Sequence, residues 1–426
     1  MEIPRMNHAE DRHDPANDRR HRLGQLLDLA QNYRGWTRKQ LSAELGRDPT
    51  KLVPGSGVPK LDVIIALAKT LDWTLDDVVA HLWLDEAPIS EPNFDGDFEA
   101  LDAAAQAAHR AGRFHDMIAL AEQAYEAASN DEERARACNR RCGGWDGMGR
   151  ATDALEAIQD GLRLSAVSPE RRRMMQSNLA NAYYSLWRVL EARSIAADLL
   201  EWYEARPPQT IRDRKTEAFA YYVRGHASRR SLTAEPDLAP VHAVRAKRDL
   251  SAAMERYEQL ALEMGDASFS GIAATCRGGL LEVEALCGDL DPKRAIEQLQ
   301  EGLADLDDTP GDRLESVGWW CVFGCNVALR TIEDESALQR AMAIFTMKGE
   351  EIAERLDSWP LRERLFTAEH SHRVRGRQGD AFSPPMLIDD LDIRTITGTM
   401  ARFPNFRATG WSILQEADVV AKDGGR

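Results

Sequence analysis

No stretch of the 426 residues is long and apolar enough to cross a bilayer, which takes about 20 consecutive apolar residues. The opening residues, EIPRMNHAEDRHDPANDRRHR, are polar and charged and hold no apolar core of a secretory signal. A cytoplasmic protein without membrane contact is expected. β-Branched runs are scarce while Ala, Leu, Glu and Arg dominate, so the chain is expected to be all-α. There are only six cysteines, expected as thiols in that compartment. Cys138/Cys142 and Cys321/Cys325 have helical i, i+4 spacing, but no Cys-x-x-Cys or nearby His pair completes four ligands. They read as small apolar contact positions and not as a metal site. The chain also lacks a phosphate loop, Gly-x-Ser-x-Gly and His-Glu-x-x-His. Gly143-Gly144 and Gly278-Gly279 read as points of close helix packing. Neither an enzyme nor a cofactor is expected.

What is present is unevenly charged. The net charge is −16, yet residues 1–60 carry 11 Lys and Arg against 8 Asp and Glu, whereas the remainder carries 43 against 62. A basic head on an acidic body permits nucleic-acid contact only at the head.

Residues 1–17 show no periodicity and are expected to be a disordered arm. From residue 18 to 85 short helices are predicted. Leu23, Leu26, Leu27 and Ala30 share one face of the first. Thr37 can cap a second, RKQLSAEL, closed by Gly46. A later helix, LDVIIALAKTL, has Leu61, Ile64, Ile65, Ala68 and Leu71 as its apolar positions, and Thr74 can cap LDDVVAHLW. Residues 86–97, rich in Pro and acids, form a linker. Between the second and later helices lies RDPTKLVPGSGVPK, with three prolines and two glycines. Asp48 is a good N-cap and Pro49 suits the first helical position. Thr50 to Val53 can continue for about a turn and a half before Pro54 stops the helix.

Residues 21–83 resemble the phage-repressor-like (XRE-type) helix-turn-helix family. The resemblance rests on GWTRKQLSAELG and LDVIIALAKTLDWTLDDV. Arg38 stands where the family usually has Gln, and the third helix is shorter than usual. The resemblance implies DNA as a partner. Thr50 and Lys51 would reach base edges, and Arg34, Arg38, Lys39 and Arg47 would meet phosphates. The alternative is a helix-turn-helix kept for packing or dimer contacts.

Residues 98–375 read as helical hairpins. AGRFHDMIALAEQA, MGRATDALEAIQDG and LWRVLEARSIAADL align on Gly112, Gly149 and Trp187, a period of 37 and then 38 residues, and a fourth turn follows at Gly288. Met117, Ala154 and Ala192 occupy one inward position, and Ala121, Ile158 and Ala196 the next. The pattern resembles divergent tetratricopeptide repeats, with Trp187 replacing the turn glycine. It implies an α-solenoid with a concave groove. A longer pair over 210–265 is interrupted by SLTAEPDLAP, another spans 311–375, and Pro360 starts a further helix. Residues 376–426 give two short helices split at Phe403-Pro404, a segment that caps the last repeat or touches a ligand. Arg136, Asn139, Asn178, Asn181 and Tyr184 fall on the groove side, where asparagine amides can grip a peptide backbone. The alternative assigns them to ordinary hydrogen bonding between repeats. Such a head on such a body resembles the bacterial peptide-sensing transcription regulators, which implies a peptide or protein partner and a homodimer. A non-DNA-binding interaction scaffold uses the same fold.

Overall fold

A computed structural model of the chain describes residues 15–55, 58–71, 73, 75–83, 96–303, 311–378 and 387–419. It is helical nearly throughout and separates into two compact units, Met1–Glu91 and Pro92–Arg426.

The N-terminal unit begins with α1 (Pro15–Arg34), so residues 15–17, expected in the disordered arm, belong to a helix. Leu23, Leu26, Leu27 and Ala30 are all buried, as their spacing requires. In α2 (Arg38–Glu44) Thr37 accepts from the Gln40 backbone while the Gln40 side chain reaches back, a reciprocal cap of both ends of the first turn. Gly46 closes the helix with φ 61°, a conformation that favours glycine. Next comes a single 3-10 turn, Pro49–Lys51, capped by Asp48. The expected turn and a half stops there. Leu52, still at helical angles (φ −63°, ψ −36°), is buried in the core at 2% exposure. The remaining helices are α3 (Leu61–Leu71) and α4 (Leu75–Leu82); the Thr74 cap lies outside the described residues. The expected face of α3 needs correction. Ile64, Ala68 and Leu71 are buried, but Leu61 and Ile65 are exposed, and Val63 and Leu67 take their place. The rotation lets Ile64, Leu67 and Ala68 meet the leucines of α1 in one core.

In the C-terminal unit neighbouring helices pack along the chain: α5 (Phe98–Arg110), α6 (Phe114–Ala127), α7 (Asp131–Gly147), α8 (Ala151–Arg163), α9 (Pro169–Ser185) and α10 (Val189–Ala205). The longer α11 (Ile211–Ala234) and α12 (Ala239–Met264) follow, separated by a 3-10 turn in the interrupting segment. Then come α13 (Ala267–Cys287), α14 (Pro292–Glu301), α15 (Gly311–Thr331), α16 (Glu335–Arg355) and α17 (Trp359–Gln378). The six inward positions, Met117, Ala121, Ala154, Ile158, Ala192 and Ala196, are all buried.

The hairpin turns share one backbone device. At Gly112, Gly149 and Trp187 φ is 69°, 70° and 62°, and the next amide donates five residues back, closing the orphan carbonyls of the helix end. Glycine reaches this region freely. Trp187 does so at a cost of about 1–3 kcal/mol. Its ring is held between other groups: the Arg230 and Arg364 guanidiniums lie 4.2 and 4.3 Å from its centroid, so α11 and α17 both lean on this turn. The paired glycines do serve close packing. A Cβ on Gly144 or Gly278 would meet Ile118 or Trp320 at 2.5 Å. Cys138, Cys142, Cys321 and Cys325 are buried between helices, and burial pushes the Cys138 thiol up to about 11.

The last residues form α18 (Asp390–Arg402), a 3-10 turn and α19 (Arg407–Glu416). A two-residue parallel ladder joins β1 (Leu387–Ile388) to β2 (Asp418–Val419), which the helical composition gave no reason to expect. Ile396, Met400, Phe403, Phe406 and Ile413 pack on Phe366 of α17. This segment also reaches far back along the chain. Arg402 Nε donates to the Met148 carbonyl at 3.3 Å, and Asn405 Nδ2 donates to the Leu186 carbonyl at 3.2 Å. It therefore packs on α17 and is tied to the second and third hairpin turns as well.

Candidate functional site

The six residues singled out at the head divide into two groups. Arg34 and Arg47, expected at phosphates, are engaged within the protein. Arg34 Nε donates to the Thr70 carbonyl at 2.7 Å, and one Nη donates to the Lys69 carbonyl at 3.3 Å. Its charge thus faces the negative end of the α3 dipole. Arg47 makes a forked bond to Asp62 at 2.6 and 2.7 Å, which holds that carboxyl below its ordinary range. The remaining four, Arg38, Lys39, Thr50 and Lys51, are exposed. Arg38 and Lys39 stand on the first turn of α2, and Lys51 closes the 3-10 turn. None of the three cations has a partner among the described residues. Thr50 is partly committed: its amide and hydroxyl both donate to Asp48 Oδ1, at 2.8 and 2.6 Å. Lys60 is equally exposed and was missed. It directly precedes α3, and the proline-rich stretch hid its closeness to a helix start.

The five residues assigned to the groove do not converge on one site. Arg136 donates to Glu99 at 2.6 and 3.0 Å and to Asp102 at 2.6 Å, and its guanidinium covers Phe98. Asn178 Nδ2 donates to Asn139 Oδ1 at 2.7 Å, and Asn181 Nδ2 to Asp146 Oδ2 at 3.2 Å. Tyr184 accepts from Arg229 on its hydroxyl and from Arg230 on its carbonyl. The asparagines therefore tie neighbouring helices together, each through one half of its amide. Arg136 and Asn139 line a cavity of about 700 Å³.

That cavity is lined by α5, α7, α9 and α11. Arg140, Arg171, Arg212 and Lys215 add cationic groups to its wall, and Asp102 is its carboxylate. Asp102 is 4% exposed. Burial pushes its carboxyl up, but hydrogen bonds and charge from Arg140 and Arg136 overcome this and leave it below the ordinary value. Arg171 and Arg212 are paired with Glu132 and Glu170 at 2.6 and 3.2 Å, whereas Lys215 lies over the Phe269 ring, 4.8 Å from its centroid. The wall is thus polar, and its arginines are paired with carboxylates. These lining residues carry a signal in the sequence. The pairs Arg136–Asp102, Arg140–Asp102, Arg171–Glu132 and Asn178–Asn139 are 34, 38, 39 and 39 residues apart, one repeat each. A search for complementary polar residues one period apart finds them.

A half-buried acid stands further along. Asp146 is pushed up to about 6, first by burial and then by the Glu315 carboxylate. Among the described residues no cluster of His, Cys, Asp and Glu could hold a metal ion, and no helix is long and apolar enough to cross a membrane. No protein-family model matches the chain, and no curated protein matches its sequence.

Proposed function

We propose that the chain is a cytoplasmic DNA-binding transcriptional regulator, built as a phage-repressor-like helix-turn-helix followed by a tetratricopeptide-like solenoid that senses a peptide or protein. The observation that carries this reading is the exposed trio Arg38, Lys39 and Lys51, cations with no partner among the described residues. Arg38 and Lys39 meet phosphates; Lys51, beside Thr50, is the residue nearest to base edges. Because the 3-10 turn is so short, most of the affinity comes from phosphates, so binding is steeply salt-dependent and only weakly sequence-selective. The cavity with Arg136 and Asn139 is the sensing site, and in a homodimer its ligand shifts the balance between two spacings of the heads.

The test is fluorescence anisotropy of the full chain with duplex DNA from a random pool, across a salt series. Arg38→Ala with Lys51→Ala is expected to weaken binding at least tenfold and to flatten the salt slope by about two. Arg47→Ala is expected to change it little. Undetectable binding at low salt, or equal loss with Arg47→Ala, rejects the reading. A second reading, a scaffold whose head docks a protein, is favoured by the short 3-10 turn and by the commitment of Thr50 to Asp48. It is the outcome left if DNA fails.

A further inference from the structure

A second cavity, of about 500 Å³, lies where α17 closes over the Trp187 turn. That volume is within the range of small-molecule sites. Five arginines line it: Arg229 and Arg230 from α11, Arg330 from α15, and Arg364 and Arg375 from α17. Two carboxylates answer them. Glu282 of α13 takes Arg229 at 2.7 Å and also accepts from Asn326; Glu363 takes Arg364. The other three arginines are held in place without being neutralised. Arg230 donates to the Tyr184 carbonyl at 2.6 Å and stacks on the Tyr184 and Trp187 rings. Arg375 donates to the Leu329 and Ile332 carbonyls at 2.6 and 2.7 Å. Arg330 is exposed at the rim, feels the charge of Glu282, and makes no hydrogen bond or ion pair among the described residues.

Carbonyls and aromatic faces orient a guanidinium but leave its charge uncancelled. Burial and the neighbouring cations drag the Arg364 guanidinium well down, and Arg230 falls to about 10, chiefly through burial. Concentrating like charge in a closed space is costly unless something of opposite sign shares it. The forked geometry of guanidinium matches oxyanions two oxygens at a time. We infer that this cavity binds a small polyanion, a molecule with two or more closely spaced phosphate or carboxylate charges, held by Arg230, Arg330 and Arg375. The inference is separate from the DNA reading and from the cavity around Arg136, and it stands or falls without them.

The experiment uses the full chain without DNA. Pyrophosphate and citrate are each titrated by calorimetry and in a thermal-shift series. Binding by at least one, with a rise in Tm of about 3 °C or more at saturation, is the expected result, and the tighter probe identifies the source as phosphoryl or carboxylate. Arg330→Ala should weaken that probe about tenfold or more while leaving the ligand-free Tm unchanged or slightly higher, since it removes repulsion. Lys215→Ala, in the first cavity, should leave the affinity as it was. The inference is overturned if neither probe binds, if Arg330→Ala binds as well as the parent chain, or if Lys215→Ala abolishes binding.

Discussion

The two units treat the same residue type in opposite ways. In the N-terminal unit, Arg38, Lys39 and Lys51 stand in water with no partner among the described residues. In the C-terminal unit, basic side chains are taken into the structure. Arg229 is 5% exposed against a Glu282 that is 2% exposed, and Arg224 meets Asp249 at 2.7 Å. Those cations are surface charge in the first unit, and those arginines are framework in the second. What decides between them is whether a carboxylate or carbonyl is delivered to it from another helix. Arg34 and Arg47 show that this rule cuts across the units: both lie in the basic head, and both are framework.

Three experiments sharpen that contrast, the largest effect first. Glu282→Ala strips the buried Arg229 of its counter-charge and should destabilise the protein by about 3–5 kcal/mol in chemical denaturation. A loss no greater than that of an exposed pair would erase the distinction. Arg34→Ala uncovers the carbonyls at the end of α3 and should cost about 1 kcal/mol. Arg38→Ala, four residues on, should change stability by less than about 0.5 kcal/mol. Equal losses from the two would mean that Arg38 is also framework. The smallest effect concerns Asp146. Its carboxyl, at about 6, takes a proton more readily folded than unfolded. It therefore favours the fold below the ordinary carboxylate range, and that contribution is lost as pH rises through 6. Asp146→Asn should raise Tm by about 1–2 °C above pH 6 and leave it unchanged at pH well below 4. A rise of the same size at both extremes would point to something other than titration.

The helices were largely legible, because each rests on local information. Leu23, Leu26, Leu27 and Ala30 announced one buried face, and the Gly112 and Gly149 turns announced hairpins through a conformation glycine takes freely. Trp187 could be placed only by its spacing from those glycines; that a tryptophan adopts φ 62° depends on arginines from α11 and α17. The α3 face was misjudged because Leu61 and Ile65 are as hydrophobic as Val63 and Leu67, and only the position of α1 chooses between them. The site was less legible than the fold. Exposure of Arg38 and Lys51 followed from sequence, but for Arg136, Asn139, Asn178, Asn181 and Tyr184 it left a peptide groove and hydrogen bonding between repeats both open. Their partners lie on other helices, roughly one repeat away or more. The bonds from Thr50 to Asp48 belong to the local kind.

The bonds from Arg402 and Asn405 to the carbonyls of Met148 and Leu186 alter how such a stack comes apart. A row of hairpins that touch only their neighbours can fray from its end, one pair at a time, at the strength of a single interface. Here the final pair is laced to turns more than two hundred residues earlier. Peeling it away frees those turns too, so the C-terminal unit is built to resist stepwise unravelling and to give way as a whole.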